Sequence, residues 1–419
     1  MTDVVRVSLD VSAVPANPVG AGRYTIHLTE ALARRHDVVL RLWSRRGDSH
    51  RWSAITRTHR RVEPPPGVGV SAGVAPGVGA GADAGLVDSV RAVAPTLRPA
   101  RLAWEQLRLP ALVKGTDAEV HHGPHYTMPE RGRLPKIVTI HDLTFLDHPE
   151  WHERSKVMVF RRAIKVAARR ASALVCVSAT TANRLQELCR PAGRVFVVPH
   201  GVDHAQFRSH EPSPGADEEV LTRLGIRPPY VVFVGTLEPR KAVPDLVAAF
   251  DRIADSRPDL SLVLVGGSGW GLSEIERSIS SARHVDRVVR TGYVPDRAVP
   301  ALLRRAAVAA YPSREEGFGL PALEALACGT PLVTTLGTAM AEVSGDAAVL
   351  VPSGQVADLA GALEAQLSGD SEVGVRRERG LDLVKDYTWE RSAEGHMDAY
   401  RWASGADGDS ASGATGDDR

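Results

Sequence analysis

Two carboxylates, Glu316 and Glu324, flank a glycine-bearing turn whose surroundings suit a diphosphate with hydroxyl-rich groups on either side. Between them Gly317, Phe318, Gly319 and Leu320 lead into Pro321, a residue suited to a helix's first turn because no N–H is needed there. Backbone N–H groups at such a helix start are unpaired, and together with the macrodipole they attract an anion. Further up the chain, Arg240 and Lys241 follow the turn Gly235-Thr236-Leu237-Glu238-Pro239. A planar guanidinium fork beside an ammonium point charge suits a diphosphate leaving group. On pattern alone, the turn with Glu316 and Glu324 is equally compatible with solvated glutamates, and two solvated bases are the lesser alternative for Arg240 and Lys241.

The elements that must hold them read as alternating strands and helices. An apolar strand over residues 306–311 stops at Pro312, and a helix runs from Pro321 to Gly329, which precedes Pro331. Residues 230–234 form the strand that delivers Gly235, and a helix over 243–253 follows Arg240 and Lys241. Near the start, a buried strand at 4–11 is followed by a loop that brings Gly20 and Gly22 to a helix over 24–35. Glycines there let a backbone approach a ligand closely, although the third glycine of a dinucleotide fingerprint is missing. The strand 136–140 ends on His141-Asp142-Leu143. In an open parallel sheet ligands bind outside the carboxyl ends of strands, so His141 is a site candidate. A strand over 287–290 leads to Thr291-Gly292-Tyr293-Val294. Residues 102–113 read as one helix despite Pro110. His121, His122 and His125 cluster without the carboxylate or cysteine pattern of a metal site.

Length and composition narrow the classes. A chain of 419 residues holds two core-bearing domains and a remainder. With 51 basic against 50 acidic residues, no global field points to nucleic acid. Cys176, Cys189 and Cys328 lack metal-ligand spacing and fit reduced thiols in a cytoplasm. No apolar run approaches the roughly 18 residues of a membrane helix. Residues 64–85 are low-complexity Gly, Ala, Val and Pro, expected to be a flexible loop inside the first domain. Between Arg41 and Arg61 stand seven arginines against one acid, Asp48, with Trp43 and Trp52 interleaved. Such a run is either a solvated face or a contact for an anionic membrane surface, at about 1 kcal/mol per basic residue.

Glu316 and Glu324, with Gly-Phe-Gly-Leu-Pro between them and Ala-Cys-Gly-Thr-Pro-Leu-Val after, resemble the signature of the retaining glycosyltransferases of family four. That resemblance covers nearly the whole chain, most tightly residues 230–352. It implies the GT-B fold, two doubly wound Rossmann-like α/β domains facing across a cleft. The boundaries expected are 1–207 for the acceptor-side domain and 208–386 for the nucleotide-sugar domain. A helix over 387–403 then crosses back to the first domain, and 404–419 is a disordered tail whose Asp407-Gly408-Asp409 is no metal site. The implied reaction moves a hexose from a nucleotide-sugar to a hydroxyl of a glycan or lipid-linked acceptor, with retention and with neither cofactor nor metal.

The sub-pattern Gly20-x-Gly22-Arg23-Tyr24, His141-Asp142-Leu143 and Gly235 to Lys241 is most similar to mannosyltransferases of polysaccharide assembly, which makes GDP-mannose the first donor. A UDP-sugar donor, a nucleotide-sugar epimerase on the same fold and a non-catalytic sugar-nucleotide binder stay open. By resemblance Glu324 holds the ribose hydroxyls, Glu316 the donor sugar, and His141 orients the sugar's far side. Arg240, Lys241 and the amides near Gly319 and Leu320 meet the phosphate charge, and the loop carrying Tyr293 lies against the base. A covalent role for Glu316 stays open as well. Two positions depart from the family pattern, which has Asn at both: His200, read as a cosmetic change because Gly201 keeps the turn, and Ala242 after Lys241. The enzyme is expected in the cytoplasm, on a membrane's inner face if the arginine run meets lipid.

Overall fold

The computed structural model describes residues 4–59 and 86–405. The expected loop 64–85, the arginines Arg60 and Arg61, and the tail beyond 405 lie outside the described residues.

Thirteen strands among these residues form two wholly parallel sheets. The first holds β1 (Val5–Asp10), β2 (Val38–Arg45), β3 (Leu86–Ala94), β4 (Val120–Gly123), β5 (Lys136–Ile140), β6 (Ala173–Cys176) and β7 (Arg194–Val197). Their order is β3-β2-β1-β4-β5-β6-β7. The second holds β8 (Tyr230–Val234), β9 (Ser261–Val265), β10 (Val288–Gly292), β11 (Val308–Tyr311), β12 (Leu332–Thr335) and β13 (Ala348–Val351), ordered β10-β9-β8-β11-β12-β13. Parallel strands need crossovers, and helices supply them on both faces, so the strands are short apolar runs. Winding reverses between β1 and β4 in one sheet and between β8 and β11 in the other. Crevices at such reversals are where open α/β sheets bind ligands.

The two sheets are packed differently. Around the second, a single cluster runs from Val231 and Phe233 through Leu246 and Phe250 to Leu302 and Leu323. The first sheet's apolar residues divide into separate clusters. One of these is completed by Trp389, Ala393, Met397 and Tyr400 of the final helix, Trp389–Ser404, which lies against Val5, Leu28 and Ile137.

Under that helix runs a buried chain of polar groups. His396 Nδ1 donates to the Ser392 carbonyl at 2.7 Å, so its neutral ring offers Nε2 as the acceptor for the Tyr24 hydroxyl, also at 2.7 Å. Tyr24 in turn meets Thr139 Oγ1 at 2.9 Å, Thr139 meets His122 Nε2 at 2.8 Å, and His122 Nδ1 meets the Tyr400 hydroxyl at 2.8 Å. One proton per contact satisfies the whole row with both imidazoles neutral. Burial holds His396 down at about 4 and His122 well below its ordinary value.

Three expectations are corrected. Residues 102–113 are not one helix: Arg98–Leu107 and Leu109–Lys114 meet at Arg108, because Pro110 has no N–H and suits only a first turn. The helix after the first loop begins at Ala21, one turn earlier than Tyr24. Trp43 and Trp52 are fully buried, not displayed beside the arginines. Trp43 donates to Ser8 Oγ at 2.8 Å. Arg45 and Arg51 cap loop carbonyls, Arg45 at Ser12 and Ala13 and Arg51 at Pro15 and Ala16. Arg41 pairs with Asp117 at 2.5 Å. Those tryptophans cannot settle at a lipid headgroup boundary. Among the described residues no helix is long and apolar enough to cross a membrane.

Candidate active site

Gly317 is one of the places where the two halves touch. A β-carbon there would lie 1.7 Å from the His141 carbonyl oxygen, so only glycine lets the turn reach the end of β5. The Gly317 carbonyl accepts from Ser178 Oγ at 2.7 Å and Thr181 Oγ1 at 3.1 Å. Beside it Glu342 accepts from the amides of Ala179 and Thr180 at 2.7 and 2.8 Å. Opposite this seam opens a cleft of about 490 Å³ whose walls come from both sheets. Glu316, His141, Arg240, Lys241, Gly20, Gly235, Tyr293, Phe318, Gly319, Leu320 and Glu324 all line it.

Glu316 is the most heavily partnered of these. Its Oε2 accepts from Arg240 Nη1 at 2.9 Å, and its Oε1 accepts from Lys241 Nζ and from Ser313 Oγ, the latter at 2.8 Å. These cations push its carboxyl down to about 2 although burial pulls the other way. Burial and the adjacent Arg240 lower Lys241, and Glu316 opposes them. A carboxylate with both oxygens engaged and so low an affinity for a proton is a poor nucleophile. Arg240 also donates to Glu238 at 3.0 Å.

Glu324 sits in the first turns of the helix Leu320–Ala327, whose N-cap Gly319 has φ 114. A β-carbon on Gly319 would lie 2.7 Å from Met340 Cγ. The amides of Gly319 and Leu320 donate to no protein acceptor among the described residues. Burial raises the Glu324 carboxyl, and Arg23 opposes it. Arg23 Nη2 reaches Glu324 Oε1 across the cleft at 2.9 Å. Arg23 belongs to the first sheet's opening helix, Ala21–Ala33. The Gly-Arg-Tyr motif contained this residue, but nothing in the sequence pairs positions 23 and 324.

His141 donates from Nε2 to the Pro124 carbonyl at 2.8 Å, which leaves Nδ1 as the ring's acceptor. Burial lowers its affinity for a proton. Its ring lies edge-on to Tyr24 at 4.9 Å and Tyr126 at 5.6 Å. His200, where the family pattern has Asn, is far from cosmetic. It is buried against Tyr24 at 4.6 Å, Phe318 at 4.5 Å and His141 at 5.8 Å, with Nδ1 unpartnered. Gly201 is needed for a reason the sequence did not show: a β-carbon there would meet the Trp389 backbone of the final helix at 2.2 Å.

Two glycines differ in role. Gly20 caps the first helix at φ 46 and faces open space in the cleft. Gly22 does not line the cleft; its β-carbon position is filled by Pro18 at 3.0 Å and Pro15 at 3.3 Å. Phe318 reaches the cleft but also packs between His200 and Tyr387. Tyr293 is 62% exposed at the rim. No group of three His, Cys, Asp or Glu side chains stands at metal-holding geometry among the described residues.

Residues 18–206 match the family model described as Glycosyltransferase Family 4, and residues 221–379 match the one described as Glycosyl transferases group 1. The chain belongs to glycosyltransferase family 4. It is a hexosyltransferase with the GT-B fold. It is 28% identical to O-antigen chain mannosyltransferase B of Escherichia coli over 73% of this chain and 78% of that protein. Identity to D-inositol 3-phosphate glycosyltransferase of Rhodococcus erythropolis is 32%, over 50% of this chain and 49% of that protein. Among solved structures, Anabaena HepE in complex with UDP-glucose superposes with a TM-score of 0.66 at 17% identity, over 94% of this chain and 99% of that one.

Proposed function

We propose that this family 4 enzyme moves mannose from GDP-mannose to a hydroxyl of a glycan or lipid-linked acceptor, with retention and without a metal. The observation that carries the reading is the clamp of Glu316 on Arg240 and Lys241 at the cleft wall. Glu316 and Glu238 hold the guanidinium and the ammonium in the same cleft as the free amides of Gly319 and Leu320, so that fixed donors stand ready where a departing diphosphate gathers negative charge. Glu316 positions both cations, and their fork and point charge meet the phosphate oxygens. Glu324, held by Arg23 through one oxygen, keeps the other for ribose hydroxyls. His141 offers Nδ1 to a hydroxyl of the donor sugar. The likeness to an O-antigen mannosyltransferase supports mannose. The same fold carrying UDP-glucose in HepE supports a UDP-sugar as the rival donor.

The proposed location is the cytoplasm. Peripheral contact with a membrane would fall to the exposed bases that remain, Arg46 and the outer face of the helix Arg154–Arg170.

A thermal-shift panel of nucleotide-sugars, followed by donor hydrolysis, tests the donor: stabilisation by GDP-mannose above UDP-glucose is expected. Calorimetry with GDP and UDP tests the roles. Glu324→Ala should weaken the preferred nucleotide about 10- to 100-fold, for a hydrogen bond to a charged group of about 1.5–3 kcal/mol. Glu316→Ala should affect turnover more than nucleotide affinity. Equal losses of nucleotide affinity in the two variants would refute this division.

A further inference from the structure

Beside the cleft a second groove of about 920 Å³ runs outward between the two halves, and His152 lines both. Its second-sheet wall is Trp270, 45% exposed. Among the described residues no ring or cation covers this indole. Its mount is rigid all the same. A β-carbon on Gly269 would lie 2.7 Å from Glu238 Cγ, and one on Gly271 would lie 2.6 Å from Pro239 Cγ. The Gly269 amide donates to the Leu237 carbonyl at 3.0 Å, and the Leu237 amide donates back to Gly267 at 3.0 Å. Two glycines thus press the tryptophan's loop against the segment that carries Arg240, while its side chain stays in solvent.

The facing wall belongs to the start of the helix Arg154–Arg170. Met158, 72% exposed, stands there one turn from Arg154 and one from Arg161. Glu150 and Glu153 add two carboxylates to the groove, Glu153 paired with Lys156 at 2.7 Å and Glu150 with His148 at 3.1 Å. A trough that mixes carboxylates and guanidiniums, donors and acceptors, around one exposed aromatic face matches a hydroxyl-rich chain. A sugar ring lays its C–H face on an indole and turns its hydroxyls to the flanking polar groups. An anionic lipid or nucleic acid would instead call for an excess of positive charge.

From this we infer that the groove is a subsite for the acceptor's own sugar chain, with Trp270 stacking a residue beyond the one that receives the transferred hexose. The inference rests on the transferase reading above, and it makes the preferred acceptor an oligosaccharide, not a single sugar. Binding measured without donor separates the two. Saturation-transfer NMR titrations of the full chain with methyl α-mannoside and with an α-linked mannotetraose should show tighter binding of the tetrasaccharide. Trp270→Ala should weaken the tetrasaccharide about tenfold and leave methyl α-mannoside unchanged. Trp270→Phe, which keeps an aromatic face, should recover most of that loss. GDP and UDP affinities, measured in parallel, should not move in either variant, and their absence in the wild type would count against the donor reading alone. The subsite is overturned if the wild type binds both sugars equally, or if Trp270→Ala binds the tetrasaccharide as the wild type does.

Discussion

The sheet β8–β13 stands on one continuous apolar core, whereas the sheet β1–β7 encloses a row of imidazoles and hydroxyls beneath the returning final helix. Both present loop ends to the same cleft. In the second half buried charge stands at the clamp of Glu316, Arg240 and Lys241 on the cleft wall and at the Arg304–Asp217 pair away from it. The first half has one buried charged cluster, Arg101 with Asp10 and Glu105, but the polar row beneath the final helix is neutral and fastens an element from the far end of the chain. An interior charge survives only when paired, while a neutral imidazole survives burial if each nitrogen has a partner. The two halves therefore fail in different ways.

The largest effect is expected at the clamp. Glu316→Ala leaves buried Lys241 without its carboxylate partner and Arg240 with Glu238 alone, and breaking a buried pair this way costs about 3–5 kcal/mol of stability. Turnover should fall about 10²- to 10³-fold, as for loss of an oxyanion donor. Lys241→Ala, which keeps Glu316 paired with Arg240, should lose turnover similarly with a smaller drop in melting temperature. Denaturation and steady-state rates on both variants check this. Equal stability of Glu316→Ala and wild type would show that the second half does not depend on its clamp.

A second effect separates the halves by pH. Folded His396 and His121 take up a proton only near pH 4, against an ordinary 6.5. Between those values the unfolded chain binds more protons than the folded one, so stability falls as pH drops from about 6.5 to 4, by about 1.4 kcal/mol per pH unit for each such ring. Glu316 works in a lower window: its depressed carboxyl contributes stability above 4.5 that is lost as pH falls toward 2. Urea denaturation from pH 7.5 to 4.5 should show the first slope, and His396→Phe should reduce it by about one ring's share. An unchanged slope would mean that the first half's interior does not set its acid sensitivity.

The smallest effect concerns strain at the cleft edge. Ala242, buried and following Lys241, has φ 49, a left-handed conformation that costs a residue with a β-carbon about 1–2 kcal/mol. This is also why a family pattern with Asn there makes physical sense, since Asn tolerates that region. Ala242→Gly relieves the strain but frees the unfolded chain by about 0.4–1 kcal/mol. A net gain of about 0.5 kcal/mol in chemical denaturation is expected, and a loss would mean that the methyl's packing outweighs the strain.

Much of this was legible in the chain. Short apolar runs such as Tyr230–Val234 and Lys136–Ile140 marked strands at the observed bounds, because strands buried on both faces must be apolar throughout. Punctuation by Gly and Pro placed Glu316 in a turn and Glu324 in a helix, and motif spacing placed Arg240 and Lys241 beyond β8. Local chemistry set these features, and local chemistry is what a sequence carries. Tertiary structure alone decided that Glu316 would face Arg240 and Lys241, that Arg23 would cross to Glu324, and that His200 would lie against His141. It also turned Trp43 and Trp52 inward and left Trp270 outside. Those outcomes depend on how elements distant in the chain pack together, and contacts between residues about 60 to 300 positions apart leave no periodicity in the chain to read.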